Sequence, residues 1–465
     1  MLRKNLKKKI LPFAVVSTLA LTSFSGVIST AEAKGNVQNS QHGQNNGKAK
    51  NIIFLIGDGM GPSYTSAYRY LKDNPKTKFV ERTAFDDYLV GQQMTYPEDP
   101  AQNITDSASA ATAMSAGIKT YNNAIGVDND ESEVKTVLEA AKEKGKATGL
   151  VATSEITHAT PASFGSHDIS RKNMNAIADD YYDELINGKH KIDVLLGGGT
   201  DLFERKDRNL TKEFKKDGYS YITNRDELLK DKNQQVLGLF APRGLDKMID
   251  RTNEQPSLAE MTTAAIDRLK QDKDGFFLMI EGSQIDWAGH DNDIVGAMSE
   301  MEDFEKAFQA AIDFAKKDKN TLVVATADHS TGGFSIGADG IYNWFGEPLK
   351  AAKHTPDFIA NQIVNGAKVE DALKQYIGLD LTNEEIQAVK VAATTKNLTE
   401  IDNAIEDIFN KRSHTGWTTG GHTGEDVPVY AFGPSSNQFA GQLENTDHAK
   451  IIFDLLKTKV KINDK

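Results

Sequence analysis

The sequence contains no cysteine, and this absence excludes several kinds of chemistry. None of its 465 residues is Cys, although the chain carries 10 His and 66 acidic residues. Disulfide bonds, a thiolate nucleophile and thiolate ligands of zinc are therefore excluded, so any zinc site must be built from His, Asp and Glu side chains. A chain of this length can bury a core large enough to be stable without disulfide bonds.

Excess positive charge and long apolar runs are also lacking. The 54 basic residues are outnumbered by the 66 acidic ones, which gives a formal net charge of −12. That balance argues against nucleic acid or an anionic membrane surface as the binding partner. Beyond residue 33, no segment reaches the ~18 consecutive apolar residues that a stable membrane span requires.

The chain begins with a pattern typical of an export signal. Basic residues within 3–9 precede an apolar stretch, and Ala31-Glu32-Ala33 fits the small-x-small pattern of a cleavage site. A membrane anchor is the alternative, but proline, serine and threonine interrupt the apolar stretch. The pattern predicts a signal peptide over residues 1–33, cleaved after about Ala33, and a secreted, extracellular protein. Residues 34–50 are rich in Gly, Asn and Gln, which predicts a disordered linker.

Short apolar segments alternate with longer amphipathic ones from residue 51 onwards. Strands are predicted over 52–57, 149–153, 193–199, 276–280, 321–326 and 427–433, and helices over 132–145, 257–272, 297–317 and 448–460. Fully apolar strands between helices are typical of a buried parallel sheet. The sequence predicts an α/β fold with a largely parallel central sheet and helices on both faces, in one domain over 51–465.

The stretch over about 338–412 separates two of the candidate site segments by an unusual length. We expect it to be an insertion that forms a cap or crown, either over the site or at a dimer interface. A plain surface excursion is the alternative, because long loops are often but not always functional.

Side chains that bind metals follow several of the predicted strands. The candidates are Asp58, Thr160, Glu281, Asp286, His290, Asp328, His329 and His422. Each Asp taken alone is more readily a helix cap, and each His a core or surface residue. In doubly wound sheets, however, ligands bind at the carboxyl ends of the strands, so these separate segments are expected to converge on one edge. Together they predict a centre for two or three divalent ions.

Asp106 and Ser107 precede a run of small residues in ITDSASAATAMSAG, residues 104–117. Alone, this segment predicts a close-packed helix with Thr105 or Asp106 as its N-cap. Next to a metal centre, Ser107 becomes a candidate nucleophile at a helix N-terminus, where the backbone N–H groups favour an anion. Asp106 is expected to orient Ser107 or a neighbouring Arg, and Arg171 is the candidate phosphate clamp. Metals, nucleophile and Arg together predict phosphoryl transfer.

Six segments of the chain resemble the alkaline phosphatase family. They are NIIFLIGDGMG (51–61), TDSASAATAMSAGIKTYNNAIGVD (105–128), THATPASFGSHDISRK (157–172), IEGSQIDWAGH (280–290), TADHSTGG (326–333) and TTGGHTGEDVPV (418–429). They occur in the family's order and span nearly the whole chain after residue 50. The resemblance implies a secreted, metal-dependent enzyme that hydrolyses phosphate monoesters to an alcohol and inorganic phosphate through a phosphoserine on Ser107.

The resemblance also implies a cofactor set of two Zn²⁺ and one Mg²⁺, the third-site ion being the uncertain one. It implies these ligands: Asp286, His290 and His422 for the first zinc; Asp58, Asp328 and His329 for the second; and Asp58, Thr160 and Glu281 for the third ion. It assigns phosphate binding to Arg171, with Asp106 positioning that side chain.

Two residues of the substrate-binding region depart from the family's enterobacterial pattern. His158 stands where the enterobacterial enzyme of the family has an acidic residue. Trp287 stands where that enzyme has a lysine near the phosphate. The changes leave the third-site ion and the pH optimum open. The expected partners are small phosphate monoesters, without specific binding to nucleic acid and without a stable membrane span, whereas a homodimer and an association with the cell wall stay open.

Two other functions would account for part of this pattern. A related metallohydrolase acting on phosphodiesters or sulfate esters would share the sheet and part of the metal shell, but usually carries Thr or a modified residue as its nucleophile. A secreted binding protein could keep the fold without turnover. The presence of Ser107, Arg171 and the third-site residues favours the monoesterase.

Overall fold

The computed structural model describes residues 49–458, so the predicted signal peptide (1–33) and nearly all of the predicted linker (34–50) lie outside the described residues. Its strands are β1 (Asn51–Gly57), β2 (Leu89–Met94), β3 (Ala147–Glu155), β4 (Leu185–Ile186), β5 (Lys189–His190), β6 (Val194–Gly198), β7 (Ser220–Ile222), β8 (Val236–Leu239), β9 (Phe276–Gly282), β10 (Thr321–Ala327), β11 (Ser330–Thr331), β12 (Ser335–Ile336), β13 (Thr415–Gly416), β14 (His422–Thr423), β15 (Val427–Phe432) and β16 (Gly441–Glu444).

The helices lie between these strands and after the last one. They are α1 (Pro62–Lys72), α2 (Ser107–Ala116), α3 (Val137–Glu143), α4 (Ala159–Gly165), α5 (Met174–Asp183), α6 (Thr200–Phe203), α7 (Leu210–Lys216), α8 (Arg225–Lys230), α9 (Leu258–Leu269), α10 (Gln284–Asp291), α11 (Ile294–Asp318), α12 (Glu347–Ala351), α13 (Pro356–Val364), α14 (Val369–Tyr376), α15 (Asn383–Ala393), α16 (Leu398–Ser413) and α17 (Asn445–Leu455). A 3₁₀ turn covers Ser436–Phe439.

Ten strands form one sheet in the order β16-β2-β15-β10-β1-β9-β3-β6-β8-β7. Within the described residues, β15 is the one strand of this sheet that runs antiparallel to its neighbours, β10 and β2. The predicted α/β fold with a largely parallel sheet is therefore confirmed. The direction of β15 was not predictable, because a short apolar run looks the same in either orientation.

The two faces of the sheet are both covered by helices. Along β1, Ile53 and Leu55 pack into one apolar cluster, whereas Ile52, Phe54 and Ile56 pack into the other. Successive side chains of a strand point to opposite faces, so a strand that is apolar at every position is buried on both. This double burial explains why the central strands read as unbroken apolar runs.

Helix starts follow local capping rules that are visible in the sequence. Ser257 and Glu260 form a capping box at the start of α9, and Thr136 and Glu139 form another at α3. In each box the hydroxyl accepts from the backbone N–H three residues on, while the Glu accepts from the N-cap N–H. The helix predicted over 132–145 is consequently shorter and begins at Val137.

The stretch expected to be an insertion (about 338–412) contains helices α12 to α16. Its apolar side chains, including Ile359, Leu373, Ile405 and Phe409, join the same core cluster as one face of the sheet. Its role as a cap or as a dimer interface stays a prediction. Among residues 49–458, no helix is both long and apolar enough to cross a membrane.

Candidate active site

Three neighbouring strands bring acidic side chains to one edge of the sheet. Asp58 follows β1, Glu281 lies one residue before the end of β9, and Asp328 follows β10. The strand order β10-β1-β9 makes these strands adjacent and parallel, so their carboxyl ends meet. The convergence expected from the sequence is therefore present in the structure, with all three carboxylates fully buried.

Ser107 is the first residue of α2, directly after the N-cap Asp106. Asp106 Oδ1 accepts a hydrogen bond from Ser109 N at 3.0 Å, which makes it the helix cap as the local pattern predicted. The Ser107 hydroxyl is buried and lies 3.2 Å from His329 Nε2. An anion attached to this hydroxyl would sit at the positive end of the helix dipole.

Asp286, His290 and His422 form the first of the three possible metal-ligand groups at this edge of the sheet. Asp286 and His290 are one turn apart on α10, as their spacing predicted, with His290 Nε2 3.3 Å from Asp286 Oδ2. His422 Nε2 lies 3.5 Å from Asp286 Oδ1 and 3.2 Å from His290 Nε2. The hydrogen bond to Asp286 raises the pKa of His290 to about 9, because the carboxylate favours the charged imidazole.

The outer nitrogens of these two histidines face backbone carbonyls. His290 Nδ1 is 2.7 Å from the Gly420 oxygen, and His422 Nδ1 is 2.9 Å from the Thr105 oxygen. A proton on each Nδ1 would be donated to its carbonyl, which leaves each Nε2 free to bind a metal. This arrangement is typical of metal-binding histidines.

Asp58, Asp328 and His329 form the second group, which is completely buried. His329 Nε2 lies 3.2 Å from Asp328 Oδ2 and 3.5 Å from Asp58 Oδ1. Burial, with repulsion from Asp328 and other carboxylates, raises the pKa of Asp58, and burial raises that of Asp328 to about 6. Burial also lowers the pKa of His329. Without a cation these groups would therefore tend toward their uncharged forms.

The third group consists of Asp58, His158 and Glu281, with Thr160 close by in sequence on α4. Glu281 Oε2 accepts from Ser283 Oγ at 2.6 Å and from Ser154 Oγ at 3.3 Å. Burial raises the pKa of Glu281 to about 7. The structure thus places His158, which the sequence suggested as a substrate-binding residue, beside two of the predicted ligands of the third ion.

Arg171 bridges Asp106 and His158. Its Nη1 donates to Asp106 Oδ2 at 3.1 Å, and its Nη2 lies 3.1 Å from His158 Nε2. Burial, and then the positive charge of Arg171, lowers the pKa of His158 to about 3. The ring is therefore neutral, and its Nε2 accepts a hydrogen bond from Arg171 Nη2. Asp106 therefore orients Arg171 as well as capping α2. Trp287 stands edge-on to the His158 ring with 5.7 Å between ring centroids.

Oxygen atoms without partners indicate what this site binds. Among the described residues, both carboxylate oxygens of Asp58, Asp328 Oδ2, Glu281 Oε1 and Thr160 Oγ1 are buried and make no hydrogen bond within the protein. Buried polar atoms are nearly always satisfied, so orphaned oxygens gathered at one place point to a missing cationic partner. Carboxylate, hydroxyl and imidazole donors fit zinc at the His-rich groups and a harder ion at Asp58, Thr160 and Glu281.

Some supporting residues were not identified from the sequence. Thr331 Oγ1 donates to Asp286 Oδ1 at 2.5 Å and lies 3.3 Å from His329 Nδ1, so one hydroxyl orients ligands of two groups. The hydroxyls of Ser154 and Ser283 both donate to Glu281 Oε2 and so orient that carboxylate. Their only signal was a hydroxyl residue next to a strand end, which is too common to be selective.

Comparisons with known proteins agree on one family. The family model described as "Alkaline phosphatase" matches residues 49–458. Alkaline phosphatase 3 of Bacillus subtilis (strain 168) is 72% identical over 99% of this chain and 100% of its own length. The solved structure of a cold-active alkaline phosphatase from a Shewanella species has a TM-score of 0.82 and 41% identity, over 87% of this chain and 99% of its own. A histidine-to-aspartate mutant of the alkaline phosphatase from the Antarctic bacterium TAB5, described with Mg bound in the M3 site, has a TM-score of 0.65 and 32% identity over 89% of this chain and 99% of its own.

Proposed function

This chain belongs to the alkaline phosphatase family and is a phosphomonoester hydrolase, and we propose that it works through a phosphoserine formed on Ser107. One observation carries this assignment of the nucleophile. The Ser107 hydroxyl lies at the start of a helix and 3.2 Å from His329 Nε2. The His329 ring in turn stacks on the His422 ring of the first metal group, with 3.6 Å between centroids. The Thr331 and Ser283 hydroxyls, by contrast, donate hydrogen bonds to the carboxylates of Asp286 and Glu281.

The cofactors of this enzyme are zinc and magnesium, as in its family. We assign one zinc to Asp286, His290 and His422, a second to Asp58, Asp328 and His329, and magnesium to Asp58, Thr160 and Glu281. The buried oxygens that lack partners and the inward Nε2 atoms support this assignment. When bound, the ions supply positive charge that stabilises the attacking and leaving oxygens of phosphoryl transfer.

In the first step the Ser107 oxygen forms a bond to phosphorus while the bond to the alcohol oxygen breaks. Solvent water takes the Ser107 proton and supplies a proton to the departing alcohol oxygen. In the second step a water oxygen forms a bond to phosphorus while the bond from Ser107 to phosphorus breaks. That water loses one proton to solvent and the Ser107 oxygen regains one, which gives hydrogen phosphate and the free hydroxyl. Arg171 binds two phosphate oxygens with the N–H groups that Asp106 and His158 do not use, and Asp106 holds the guanidinium in place.

His158 is proposed to influence which metal ion the third site prefers. Its position beside Asp58 and Glu281 makes it a neighbour of the magnesium ion that we assign there. The TAB5 mutant with Mg bound in the M3 site carries aspartate where that enzyme has histidine. We infer that His158 reduces the preference of this site for magnesium, because a carboxylate is a better ligand for that ion than an imidazole.

Export and cleavage after about Ala33 are also proposed, on the basis of the basic and apolar leader and the small-x-small site. The residues concerned lie outside the part of the chain that the structure describes. The expected substrates are small phosphate monoesters, since Arg171 and the metal groups bind the phosphate rather than the alcohol. A homodimer and an association with the cell wall stay predictions.

The function is tested with the purified mature protein and three nitrophenyl esters: a phosphate monoester, a phosphate diester and a sulfate. We expect fast hydrolysis of the monoester at alkaline pH, loss of activity on chelation, and recovery with zinc and magnesium. Mass spectrometry of protein quenched in acid should find phosphate on Ser107. Faster hydrolysis of the diester or the sulfate, or a phosphate found on another residue, would contradict the proposal.

A further inference from the structure

Five carboxylates meet where the helical insertion packs on the catalytic core. We call this group the carboxylate cluster; it consists of Asp291, Asp293, Asp357, Asp402 and Glu406. The first two follow the proposed ligand His290 at the junction of α10 and α11, the third is in the first turn of α13, and the last two are one turn apart on α16. None of them belongs to the catalytic site described above.

One lysine faces this cluster. Lys247 Nζ lies 2.9 Å from Asp357 Oδ2 and 3.4 Å from both Asp291 Oδ2 and Asp293 Oδ2. Among the described residues Lys247 makes no ion pair with Asp402 or Glu406, although its positive charge opposes the rise in their pKa. The insertion contributes three of the five acids, Asp357, Asp402 and Glu406, and Asp357 shares the Lys247 ammonium with Asp291 and Asp293. Like charges so close together repel strongly in a buried environment.

Asp402 and Glu406 are buried deeply and have unsatisfied oxygens. Asp402 is 2% exposed and Glu406 is 5% exposed. Asp402 Oδ1 and Glu406 Oε1 make no hydrogen bond within the described residues. Burial, with repulsion from the neighbouring carboxylates, raises the pKa of both side chains. Two buried acids one turn apart on a helix destabilise a fold unless a proton or a cation neutralises them.

Ligand oxygens of three members of the cluster lie close enough to share one cation. One oxygen each from Asp291, Asp402 and Glu406 lies within 4.8 Å of the others. Carboxylate oxygens are hard ligands, and Ca²⁺ takes six to eight of them in a flexible geometry, whereas Mg²⁺ demands a near-ideal octahedron. Asp291 is partly exposed, so the cluster has a route for an ion and for the waters that would complete its coordination.

We propose that the carboxylate cluster is a calcium site, separate from the catalytic metals, with Asp291, Asp402 and Glu406 as its protein ligands. The cation neutralises the two buried acids of α16 and links that helix to the end of α10. A hydrogen bond from Asn410 Nδ2 to the Asn292 oxygen, 3.0 Å long, already joins the two elements at this point. Calcium therefore links α16 of the insertion to the end of α10, next to His290, and stabilises the fold.

The test uses protein saturated with zinc and magnesium, so that the catalytic groups are filled before calcium is added. Equilibrium dialysis with radioactive calcium should find one Ca²⁺ bound per chain in the wild type. The double variant Asp402→Asn/Glu406→Gln should bind calcium at least ~30-fold more weakly. The control variant Glu400→Gln removes an exposed acid from the same helix and should bind as the wild type does.

Thermal unfolding gives a second readout that does not depend on activity. Calcium in excess over its Kd should raise the Tm of the wild type and of Glu400→Gln by at least ~3 °C, but not that of the double variant. Binding by the double variant equal to that of the wild type would overturn the proposal. So would a wild type that binds no calcium, because the two acids would then be neutralised by protons alone.

Discussion

Replacing Arg171 by alanine tests the proposed phosphate clamp directly. The guanidinium donates to Asp106 at 3.1 Å and to His158 at 3.1 Å, which uses one N–H of each terminal nitrogen and leaves the others for phosphate. A hydrogen bond between charged groups contributes about 1.5–3 kcal/mol. Two bonds to phosphate would contribute about 3–6 kcal/mol, from which we subtract roughly half for water that replaces the lost donors.

The expected loss is therefore about 1.5–3 kcal/mol, or a 10- to 150-fold weaker competitive inhibition by inorganic phosphate. The assay is hydrolysis of a nitrophenyl phosphate monoester at a series of phosphate concentrations. Arg171→Lys keeps the charge but not the planar pair of donors, so it should recover only part of the affinity. The neighbouring Lys172 is exposed, and Lys172→Ala is the matched control.

Metal content decides how a weaker inhibition is interpreted. Arg171 contributes no ligand to the three candidate metal groups, so the zinc and magnesium bound per chain should not change in Arg171→Ala. Phosphate inhibition within twofold of the wild type, with metals intact, would refute the clamp. A loss of metal together with activity would instead assign Arg171 a structural role.

Three further outcomes are expected. Ser107→Ala should lower monoester hydrolysis by about 10³-fold or more with unchanged metal content, whereas a rate near that of the wild type would exclude Ser107 as nucleophile. Gly59→Ala places a Cβ 2.6 Å from Thr331 Oγ1 at a residue with φ +69°, so urea denaturation should find a loss of about 1–3 kcal/mol. Burial lowers the pKa of His167, but its hydrogen bond to Glu139 outweighs this and raises the pKa above 6.5. The stabilisation from that raised pKa is complete below ~6.5 and is lost as the pH rises through the folded value. His167→Gln should therefore reduce stability more at pH 6 than at pH 9, and equal losses would contradict the assignment.

Local patterns in the sequence were enough to propose many residues of the candidate site. Helical spacing alone was enough to predict that Asp286 and His290 share one face. The positions of Asp58 and Asp328 directly after apolar strands were enough to predict that they lie together, because residues that follow parallel strands meet at one edge of the sheet. Ser107 required the additional knowledge that a helix N-terminus binds anions. These relations are local or follow from the fold class, so a single sequence is enough to state them.

Other contacts depend on tertiary packing that no local pattern encodes. The Thr105 carbonyl that faces His422 is 317 residues away in the chain, and the Ser154 hydroxyl that reaches Glu281 is 127 residues away. The carboxylate cluster is even harder to predict from the sequence, because its acids come from separate helices. In the sequence, each of these acids looks like part of an ordinary solvent-exposed helix face. Acidic residues on amphipathic helices are usually exposed, so the burial of Asp402 and Glu406 could be found only in the folded structure.

The acidity of the chain also bears on how substrate and metal binding are related. A phosphate monoester is an anion, yet Asp58, Glu281, Asp286 and Asp328 surround the place where it would bind. Arg171 alone could not offset four carboxylates, so the affinity for phosphate is expected to depend on the cations that we assign to those carboxylates. Burial raises the pKa of three of these acids, and each must be ionised to bind a metal. At a pH low enough for these acids to be protonated, metal binding releases protons, and metal and phosphate each strengthen the binding of the other.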